Sequence, residues 1–325
     1  MSDLPQVQQP ARLIPAAPAV DVSIIYVNWN CAGEIAASIE SVRAMSTARR
    51  YEFIVVDNDS PQGSTPLDTD PGIRLIYSDA NKGFGAGCNL GSRAAKGEYL
   101  LFLNPDTRFL NDVLGELLAF IESHSNAGIV GPMLEDTTGK VQFDGARSLP
   151  TLLNEFFQHS TLAFKFPSGP WTSKPYLSDW DHRSTREVET ILGACMLMSA
   201  EVFASIGGFD ENFFLYSEEI DLCCRLRSAG LEVWYLHTAR LLHKERQSTI
   251  QLFGSVSRIV LQNLISQEYY FKKHHGSLSA YLWRHMIATL YLLRYLRSRE
   301  QSHLEYVKWA ITPRPPYVQS HYSHP

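Results

Sequence analysis

The sequence predicts an α/β fold in which helices flank a mostly parallel sheet. Two observations support this prediction. First, short strands that are apolar throughout alternate with helical segments between residues 21 and 131, and the strands of a parallel sheet are buried on both faces. Second, polar residues such as Asp57 and Asp106 follow directly after these strands. Ligands of such sheets bind beyond the carboxyl ends of the strands, so these residues mark the expected site.

Strands and helices are predicted to alternate regularly in the first part of the chain. The predicted strands cover residues 22–27, 53–56, 73–77, 99–103 and 128–131. The predicted helices cover residues 33–45, 85–96 and 110–123, and Gly97 is expected to close the second of them. Residues 133–187 break this rhythm with aromatics and prolines of no clear period, which predicts an insertion that shapes part of a binding surface.

Regular elements return after the insertion. We predict a strand over residues 190–198, helices over 200–206 and 217–229, and a strand over 232–236 that leads into a loop containing His243. Two amphipathic helices are predicted over residues 255–273 and 279–298, where the charged side chains are basic except for Glu268. We therefore expect a disordered leader over 1–20, a helical region over 249–311 and a loose tail over 312–325.

Length, charge and cysteine usage exclude several classes of protein. A chain of 325 residues, of which 45% are hydrophobic, can bury one large core or two modest ones. Its net charge of −5 gives no general attraction to nucleic acid. The five scattered cysteines argue against a disulfide framework and a zinc site, which favours a reducing cytosol. Residues 1–19 lack the apolar core of a signal peptide, and no apolar run approaches the length of a membrane span.

The strongest local signal is Asn104-Pro105-Asp106, which ends an apolar strand. Pro105 cannot continue the hydrogen-bonded ladder, so the chain must turn there. A diphosphate complex of Mg²⁺ or Mn²⁺ needs one or two protein carboxylates, because phosphates and waters fill the other positions. Asp106 is the candidate metal ligand, and Asn104 could orient a metal-bound water or a ribose. The structural alternative is that Asp106 caps the next helix.

The glycine-rich segment from Asn81 to Asn89 predicts a loop that a ligand can approach closely. It fails the dinucleotide fingerprint because Leu90 stands where a glycine is required, and it lacks the Gly-Lys-Ser/Thr sequence of a Walker loop. The helix N-terminus that follows favours anions, and a plain tight turn is the alternative. Asp57 could accept a hydrogen bond from a pyrimidine base or a ribose, or it could cap a turn.

Two further candidates lie late in the chain. Glu218 and Glu219 begin a predicted helix after an aromatic run. Acids at a helix N-terminus favour its dipole, and Asp221 can pair with Arg225. Like charge near apolar surface raises the pKa of a carboxyl group and makes it a better general base. The imidazole of His243 can bind Mn²⁺ or Mg²⁺, and a lone surface histidine is the alternative.

Taken together and in this order, these stretches resemble the inverting family 2 glycosyltransferases, in particular the rhamnosyltransferase-like branch with the GT-A fold. The resemblance runs from about residue 20 to residue 248 and includes 22–30, 54–60, 81–89, 99–107, 193–198 and 207–226. It implies a Rossmann-like sheet for nucleotide-diphospho-sugars, and the C-terminal amphipathic helices predicted from the sequence pattern lie beyond it. It divides the catalytic domain, residues 21–248, into a nucleotide-binding half over 21–131 and an acceptor half over 132–248.

The resemblance also implies roles for particular residues. Asn-Pro-Asp stands at the place of the family's DxD metal site, and His243 matches a histidine at the metal–diphosphate site, so Asp106 and His243 are the implied metal ligands. Glu219, next to Glu218, stands at the place of the catalytic base. The family usually has Glu-Asp there, so the base in this chain has one extra methylene. The implied donor-binding residues are Asn30, Asp57, Asn58, Asn81, Gly83, Phe84, Asn89 and Asn104.

The implied activity is an inverting sugar transfer that depends on Mg²⁺ or Mn²⁺. The expected donor is a nucleoside diphosphate sugar such as dTDP-L-rhamnose, and the expected acceptor is a hydroxyl of a glycan or a lipid-linked glycan. Two alternatives stay open: a sugar-phosphate nucleotidyltransferase, and a catalytically silent glycan-binding or scaffold protein of the same fold. The C-terminal helices could contact the cytoplasmic face of an anionic membrane, pack against the catalytic domain, or form a homo-oligomer.

Overall fold

The computed structural model describes residues 20–46, 49–244 and 255–312. Nearly all of the predicted leader and the predicted tail therefore lies outside the described residues. Within these ranges the chain forms one large sheet with helices on both faces, followed by a C-terminal helical region. The predicted α/β architecture is confirmed.

A nine-stranded sheet forms the centre of the described part of the chain. Its strands are β1 (Val22–Asn28), β2 (Tyr51–Asp57), β3 (Ile73–Tyr77), β4 (Tyr99–Leu103), β5 (Thr107–Phe109), β6 (Ala127–Glu135), β8 (Arg186–Val188), β10 (Cys195–Ser199) and β11 (Glu232–His243). Two short strands, β7 (Ala146–Arg147) and β9 (Thr190–Ile191), pair with each other in a separate ribbon.

The strand order is β3-β2-β1-β4-β10-β6-β11-β5, and β8 also pairs with β11. Strands β3, β2, β1 and β4 are mutually parallel, and β11 is parallel to β6. Because β10 runs antiparallel between β4 and β6, β6 and β11 point the same way as the first four strands. The sheet is therefore mostly parallel, and most of its carboxyl ends meet at one edge.

Helices cover both faces of this sheet and continue beyond it. They are α1 (Ala32–Met45), α2 (Phe84–Ser92), α3 (Val113–Ser123), α4 (Leu152–His159), α5 (Leu162–Lys165), α6 (Ala200–Ser205), α7 (Glu218–Ser228), α8 (Val256–Ser298) and α9 (Gln301–Ile311). Short 3₁₀ turns occur at Leu67–Thr69, Phe143–Gly145 and Lys174–Tyr176.

The two faces of the sheet bury two apolar clusters, which explains why the strands are apolar without alternation. Ile24 and Tyr26 of β1 pack into one cluster with residues of α1 and α3. Their neighbours Ile25 and Val27 pack into the other cluster with residues of α2, α6 and α7. All five cysteines are free thiols.

Part of the glycine-rich segment serves the packing of α2 on the sheet. A Cβ at Gly87 would lie 2.8 Å from Val27 Cγ1, and a Cβ at Gly91 would lie 2.6 Å from Ile25 Cγ2. Only glycine therefore allows this close approach of helix and strand. Helix α2 ends at Ser92, so the prediction that Gly97 closes it is wrong.

Three other elements differ from the prediction. The helix predicted from residue 110 begins at Val113, where Asp112 caps it by accepting from Gly115 N at 3.0 Å; Asp106 is therefore not its cap. The strand predicted over 190–198 is interrupted at residues 192–194, between β9 and β10. The predicted loop around His243 is wrong, because β11 continues to His243 through irregular pairing with β6.

The C-terminal region contains one more helix than predicted. The two predicted helices form α8, which has a non-helical break at Gly276 (φ 82°, ψ 169°), and α9 follows it. Phe213 and Ile220 share an apolar cluster with Leu264 and Trp283 of α8, so α8 packs directly on the segment that leads into α7. In the described ranges, no helix has both the length and the apolar character needed to cross a membrane.

Candidate active site

A cavity of about 410 Å³ lies at the carboxyl edge of the sheet. Its lining comes from the ends of β1, β4 and β11, the loop before α2, the insertion, residues 192–194, the start of α7 and one face of α8. The predicted site residues that line it are Asn58, Asn81, Gly83, Phe84, Asn104, Asp106, Glu218, Glu219 and His243.

Amide side chains hold the loop before α2 in place. Asn58 Nδ2 donates to Asn81 Oδ1 at 2.9 Å and to Gly83 O at 3.1 Å. Gly83 has a φ of 93°, and a Cβ there would lie 2.0 Å from Phe214 O, so no other residue fits. Phe84 N donates to the same Phe214 oxygen at 3.0 Å. The loop is therefore in direct contact with the segment that precedes α7.

Asp57 ends β2 as predicted, but it does not line the cavity. Its carboxylate accepts from Asn28 Nδ2 at 2.7 Å, from Ser60 N at 2.8 Å and from Ser64 Oγ. These bonds order the loop that follows β2, which is the turn-capping alternative that the sequence left open. A contact of Asp57 with a base or a ribose stays a prediction.

Asn30 and Asn89 also lie outside the cavity lining. Asn30 has a φ of 54°, and its Oδ1 accepts from Gln62 N at 2.9 Å. Asn89 Nδ2 donates to Phe209 O at 2.9 Å, and Asn89 Oδ1 accepts from Phe209 N at 2.9 Å. Asn89 thereby fixes the turn that leads toward α7. Their direct role in donor binding stays a prediction.

Asp106 and His243 approach each other at the end of the cavity nearest β4 and β11. Both are buried, and Asp106 Oδ1 lies 3.6 Å from His243 Nε2. On the far side of the ring, His243 Nδ1 lies 3.0 Å from Gln142 Oε1, while Gln142 Nε2 donates to His243 O at 3.0 Å. Because the amide nitrogen of Gln142 donates to a carbonyl, its oxygen must be the acceptor, so His243 Nδ1 carries the hydrogen. The other ring nitrogen, Nε2, faces Asp106 and is the atom placed to bind a metal.

This pair fits a divalent ion. A separation of 3.6 Å is too long for a hydrogen bond, whereas two ligands at right angles on an octahedral ion lie about 3 Å apart at bond lengths of about 2.1 Å. The described residues contain no cluster of three or more His, Cys, Asp or Glu side chains suited to an ion. An ion held by Asp106 and His243 would therefore take its other ligands from phosphates and water. Asn104 also lines the cavity, next to Asp106.

A strained turn presents the glutamate pair to the cavity. Tyr216 and Ser217, directly before α7, both have left-handed backbone conformations (φ 68° and 67°). Such conformations cost about 1–3 kcal/mol each and persist where the surroundings fix them. Here Leu215 O accepts from Ser266 Oγ of α8 at 2.7 Å. Helix α8 therefore helps to hold the turn.

Glu218 and Glu219 are almost completely buried, with exposed fractions of 4% and 7%. Burial raises the pKa of both carboxyl groups, and the charge of Glu219 raises the pKa of Glu218 further. At Glu219, the nearby guanidinium of Arg147 opposes this rise in pKa. Two neighbouring carboxyl groups whose pKa values are pushed apart can divide the roles of acid and base. Glu219 is the member of the pair that Arg147 helps to ionise.

Several residues that the sequence did not single out also line the cavity. Asp144, Arg147, Gln158 and Tyr176 come from the insertion, while Asn263 and Gln267 come from α8. Gln142 orients His243 from behind. None belongs to a recognisable motif, and only the aperiodic, aromatic composition of residues 133–187 indicated that the insertion shapes a binding surface.

An ionic network fastens α7 to α8. Asp221 is completely buried, and its carboxylate accepts from Arg225 Nε at 2.8 Å, Lys273 Nζ at 2.6 Å and His274 Nε2 at 2.7 Å. Burial alone would raise the pKa of Asp221, but the bond from His274 and the positive charges outweigh it and lower the pKa. The same bond raises the pKa of His274 to about 9 against the opposing effect of burial. The predicted pair of Asp221 and Arg225 is thus confirmed within a larger network.

The fold is that of the GT-A proteins. The solved structure of GalNAc-T7 with UDP, GalNAc and Mn²⁺ superposes on 78% of this chain and 50% of its own, with a TM-score of 0.52 and 12% sequence identity. The chain therefore spans half the length of that protein, and the likeness concerns the fold.

The chain belongs to glycosyl transferase family 2. The family model described as "Glycosyl transferase family 2" matches residues 23–207, which is more than half of the chain. The chain is therefore a glycosyltransferase, and family membership decides against the nucleotidyltransferase and the silent scaffold that the sequence left open.

The chain is also similar in sequence to several named glycosyltransferases. The chain is 31% identical to the N-acetylglucosaminyl-diphospho-decaprenol L-rhamnosyltransferase of Mycobacterium tuberculosis over 219 residues, 63% of this chain and 70% of that protein. It is 27% identical to the rhamnosyltransferase WbbL of Escherichia coli K12 over 73% of this chain and 88% of that protein. The low-salt glycan biosynthesis hexosyltransferase Agl10 of Haloferax volcanii is 28% identical over 69% of this chain and 67% of that protein.

Proposed function

We propose that this glycosyltransferase moves L-rhamnose from dTDP-L-rhamnose to a hydroxyl of a glycan or lipid-linked glycan, with inversion and with a divalent metal. The observation that carries the proposal is the meeting of two groups on one cavity, which both the Asp106–His243 pair and the Glu218–Glu219 pair line. The first can hold a leaving group, and the second can accept a proton.

The donor's diphosphate would bind at the Asp106 end. When bound there, Mg²⁺ or Mn²⁺ would neutralise the charge that develops on the departing nucleoside diphosphate. Gln142 keeps His243 Nδ1 protonated, so that Nε2 is free to act as a ligand. The loop around Asn58, Asn81 and Gly83 is fixed by its own amide bonds and offers its backbone to the nucleotide.

Proton transfer would belong to Glu219. Its carboxylate takes the proton of the acceptor hydroxyl as that oxygen attacks the anomeric carbon from the face opposite the leaving group. Arg147 favours the ionised form of Glu219, while Glu218, which has no such cation, stays protonated more readily. A single displacement inverts the anomeric centre and needs no enzyme nucleophile.

The proposed donor and acceptor rest on the names of relatives. Two of them are named rhamnosyltransferases, and the mycobacterial name specifies L-rhamnose and a sugar linked through a diphosphate to a polyprenol. A lipid-linked acceptor would bring the enzyme to a membrane surface. We therefore also propose that α8 contacts the cytoplasmic face of an anionic membrane as a peripheral protein.

The test is a panel of nucleotide-sugars, each with Mg²⁺, Mn²⁺ or EDTA, scored by thermal shift and by release of the nucleoside diphosphate. We expect dTDP-L-rhamnose to stabilise the protein most and only with a divalent ion. At a ligand concentration of one hundred times Kd, the gain in the free energy of unfolding is about 2.7 kcal/mol.

Asp106→Ala should remove the metal-dependent part of the thermal shift. Asp68→Ala, which removes an exposed carboxylate, is the matched control and should leave it intact. Donor binding that is equally strong in EDTA would contradict the metal site. A larger shift with another nucleotide-sugar would replace the proposed donor.

A further inference from the structure

Helix α8 lies beyond the residues that the family model matches, yet it contributes two side chains to the cavity. The match ends at residue 207 and α8 begins at Val256. Asn263 and Gln267 lie one helical turn apart, at positions i and i+4, and both line the cavity. Both residues lie outside the segment that the family model matches, as do Glu219 and His243.

Two buried glutamines of α8 differ in their bonding. Gln262 is 2% exposed, and its Nε2 donates to Ser266 Oγ at 3.2 Å and to Leu215 O at 3.4 Å. Gln267 is 4% exposed, and its Oε1 has no hydrogen-bond partner among the described residues. Gln262 faces the turn before α7, whereas Gln267 faces the cavity. One glutamine is bonded within the fold, and the other is left with an unsatisfied group.

A buried amide oxygen without a partner costs about 1–3 kcal/mol of stability. Buried polar groups in folded proteins are nearly always satisfied, and the exceptions at a cavity point to a ligand. Glu218 Oε2 is a second buried oxygen without a partner, and Glu218 lines the same cavity. One buried oxygen on α7 and one on α8 are therefore available to the hydrogen-bond donors of a bound molecule.

The position of Gln267 indicates which part of a substrate it would meet. Leu264, one turn before Gln267, packs with Ile220 of α7 in one apolar cluster, and Ser266 bonds to Leu215 O. Gln267 thus lies on the part of α8 that packs against the start of α7, where Glu218 and Glu219 stand. A neutral amide that both donates and accepts is suited to sugar hydroxyls, which do the same.

We propose that Asn263 and Gln267 form a subsite that hydrogen-bonds the hydroxyls of the acceptor sugar, so that α8 takes part in selecting the acceptor. The inference rests on the proposed function in one respect, namely that the sugar bound there is the acceptor. The binding of a sugar at this place is independent of whether the transferred sugar is rhamnose.

The test is equilibrium binding of a panel of octyl hexosides, including octyl N-acetylglucosaminide, measured by saturation-transfer NMR in the presence of dTDP and Mg²⁺. We expect the wild-type protein to bind at least one octyl hexoside, and Gln267→Met to weaken that binding about tenfold. Because methionine removes an unsatisfied buried group at similar volume, the Tm of Gln267→Met should equal or exceed that of the wild type.

Gln262→Met is the matched control, since it makes the same change at a glutamine that is bonded within the fold. It should lower the Tm. If Gln267→Met and the wild type bind the octyl hexoside equally well, the proposal is overturned. It is also overturned if Gln267→Met binds more weakly but has a lowered Tm, as expected for Gln262→Met. Absence of binding by the wild type to every octyl hexoside would overturn it too.

A second measurement separates this proposal from the proposed reaction. With a donor that the enzyme uses, Gln267→Met should raise the acceptor KM and leave the donor KM and the hydrolysis of donor without acceptor unchanged. A raised donor KM would assign Gln267 to the donor instead. If sugar binding is intact but no transfer occurs, the proposed reaction fails and the subsite remains.

Discussion

Two adjacent carboxyl groups, Glu218 and Glu219, are kept almost entirely out of water. Burial and mutual repulsion make their charged forms costly, so the pair reduces the stability of the fold at neutral pH. Proteins keep such groups where chemistry needs them, and a buried carboxylate with a raised pKa is a suitable general base. The pair is therefore better explained by catalysis than by folding.

The glutamate pair predicts an unusual dependence of stability on pH. Because the pKa of Glu218 is raised in the folded state, the folded protein binds more protons than the unfolded chain at pH values between the ordinary glutamate pKa and the raised value. The free energy of unfolding therefore falls as pH rises through this window. Glu218→Gln removes the effect, so its Tm should match that of the wild type near pH 4 and exceed it increasingly toward pH 8.

Differential scanning fluorimetry across this pH range checks the prediction. Glu98→Gln changes an exposed glutamate and should show no such trend. A constant difference between Glu218→Gln and wild type from pH 4 to pH 8 would mean that the pKa of Glu218 is not raised.

At the scale of the element, α8 combines two roles. Its first half fixes the turn before α7 through Ser266, and it anchors α7 through Lys273 and His274 on Asp221. Removing one partner of such a buried network costs about 3–5 kcal/mol, because the charge left behind is uncompensated. A substitution that breaks these contacts of α8 is therefore expected to displace α7 and, with it, the glutamate pair.

The second half of α8 has apolar side chains on its exposed face. They recur at positions i, i+3, i+4, i+14, i+15 and i+18, which lie on one face of a helix. They are Leu278, Tyr281, Leu282, Leu292, Leu293 and Leu296. Arg297 and Arg299 follow at the end of the helix and are exposed. An apolar stripe next to basic side chains complements an anionic lipid surface.

If this stripe contacts a membrane, the protein should co-sediment with vesicles that contain phosphatidylglycerol and much less with vesicles of phosphatidylcholine alone. Leu293 and Leu296 are 58% and 52% exposed, so the double change Leu293→Glu and Leu296→Glu should leave the fold intact. It should weaken vesicle binding at least about tenfold, because burying a leucine side chain contributes about 1.5–3 kcal/mol.

Met45→Glu, a change at an exposed methionine of α1, is the control and should bind as the wild type does. Wild-type protein that stays in the supernatant with anionic vesicles would contradict a membrane role of the stripe. So would a double variant that binds as the wild type does.

For the whole molecule, the sequence predicts the sheet better than it predicts the cavity. Unbroken apolar strands indicated burial on both faces, and Asp57 and Asp106 marked the edge where the strands end. Each of these signals lies within one short segment, so it can be recognised without knowledge of the tertiary contacts. The position of the antiparallel strand β10 between β4 and β6 depends on pairing between segments that are distant in sequence. The periodicity of the sequence does not predict such pairing.

The same distinction explains which site residues were found. Asp106, Glu219 and His243 lie in stretches that the local sequence and the family resemblance single out. Gln142 and Gln267 are ordinary glutamines in sequence, and only tertiary contacts give them partners or leave them without one. The amide bonds that Asn89 makes to Phe209 likewise depend on tertiary contacts, and its expected role in donor binding stays a prediction.

The central claim is that two pairs of side chains on one cavity divide the reaction, so that Asp106 and His243 hold the leaving group while Glu219 accepts the proton. The most direct test is Glu219→Gln, assayed for sugar transfer with the donor found in the panel and for dTDP binding with Mg²⁺. We predict a loss of about 10²–10⁴-fold in kcat with the Kd of dTDP within about twofold of the wild-type value. Transfer at the wild-type rate would contradict the claim.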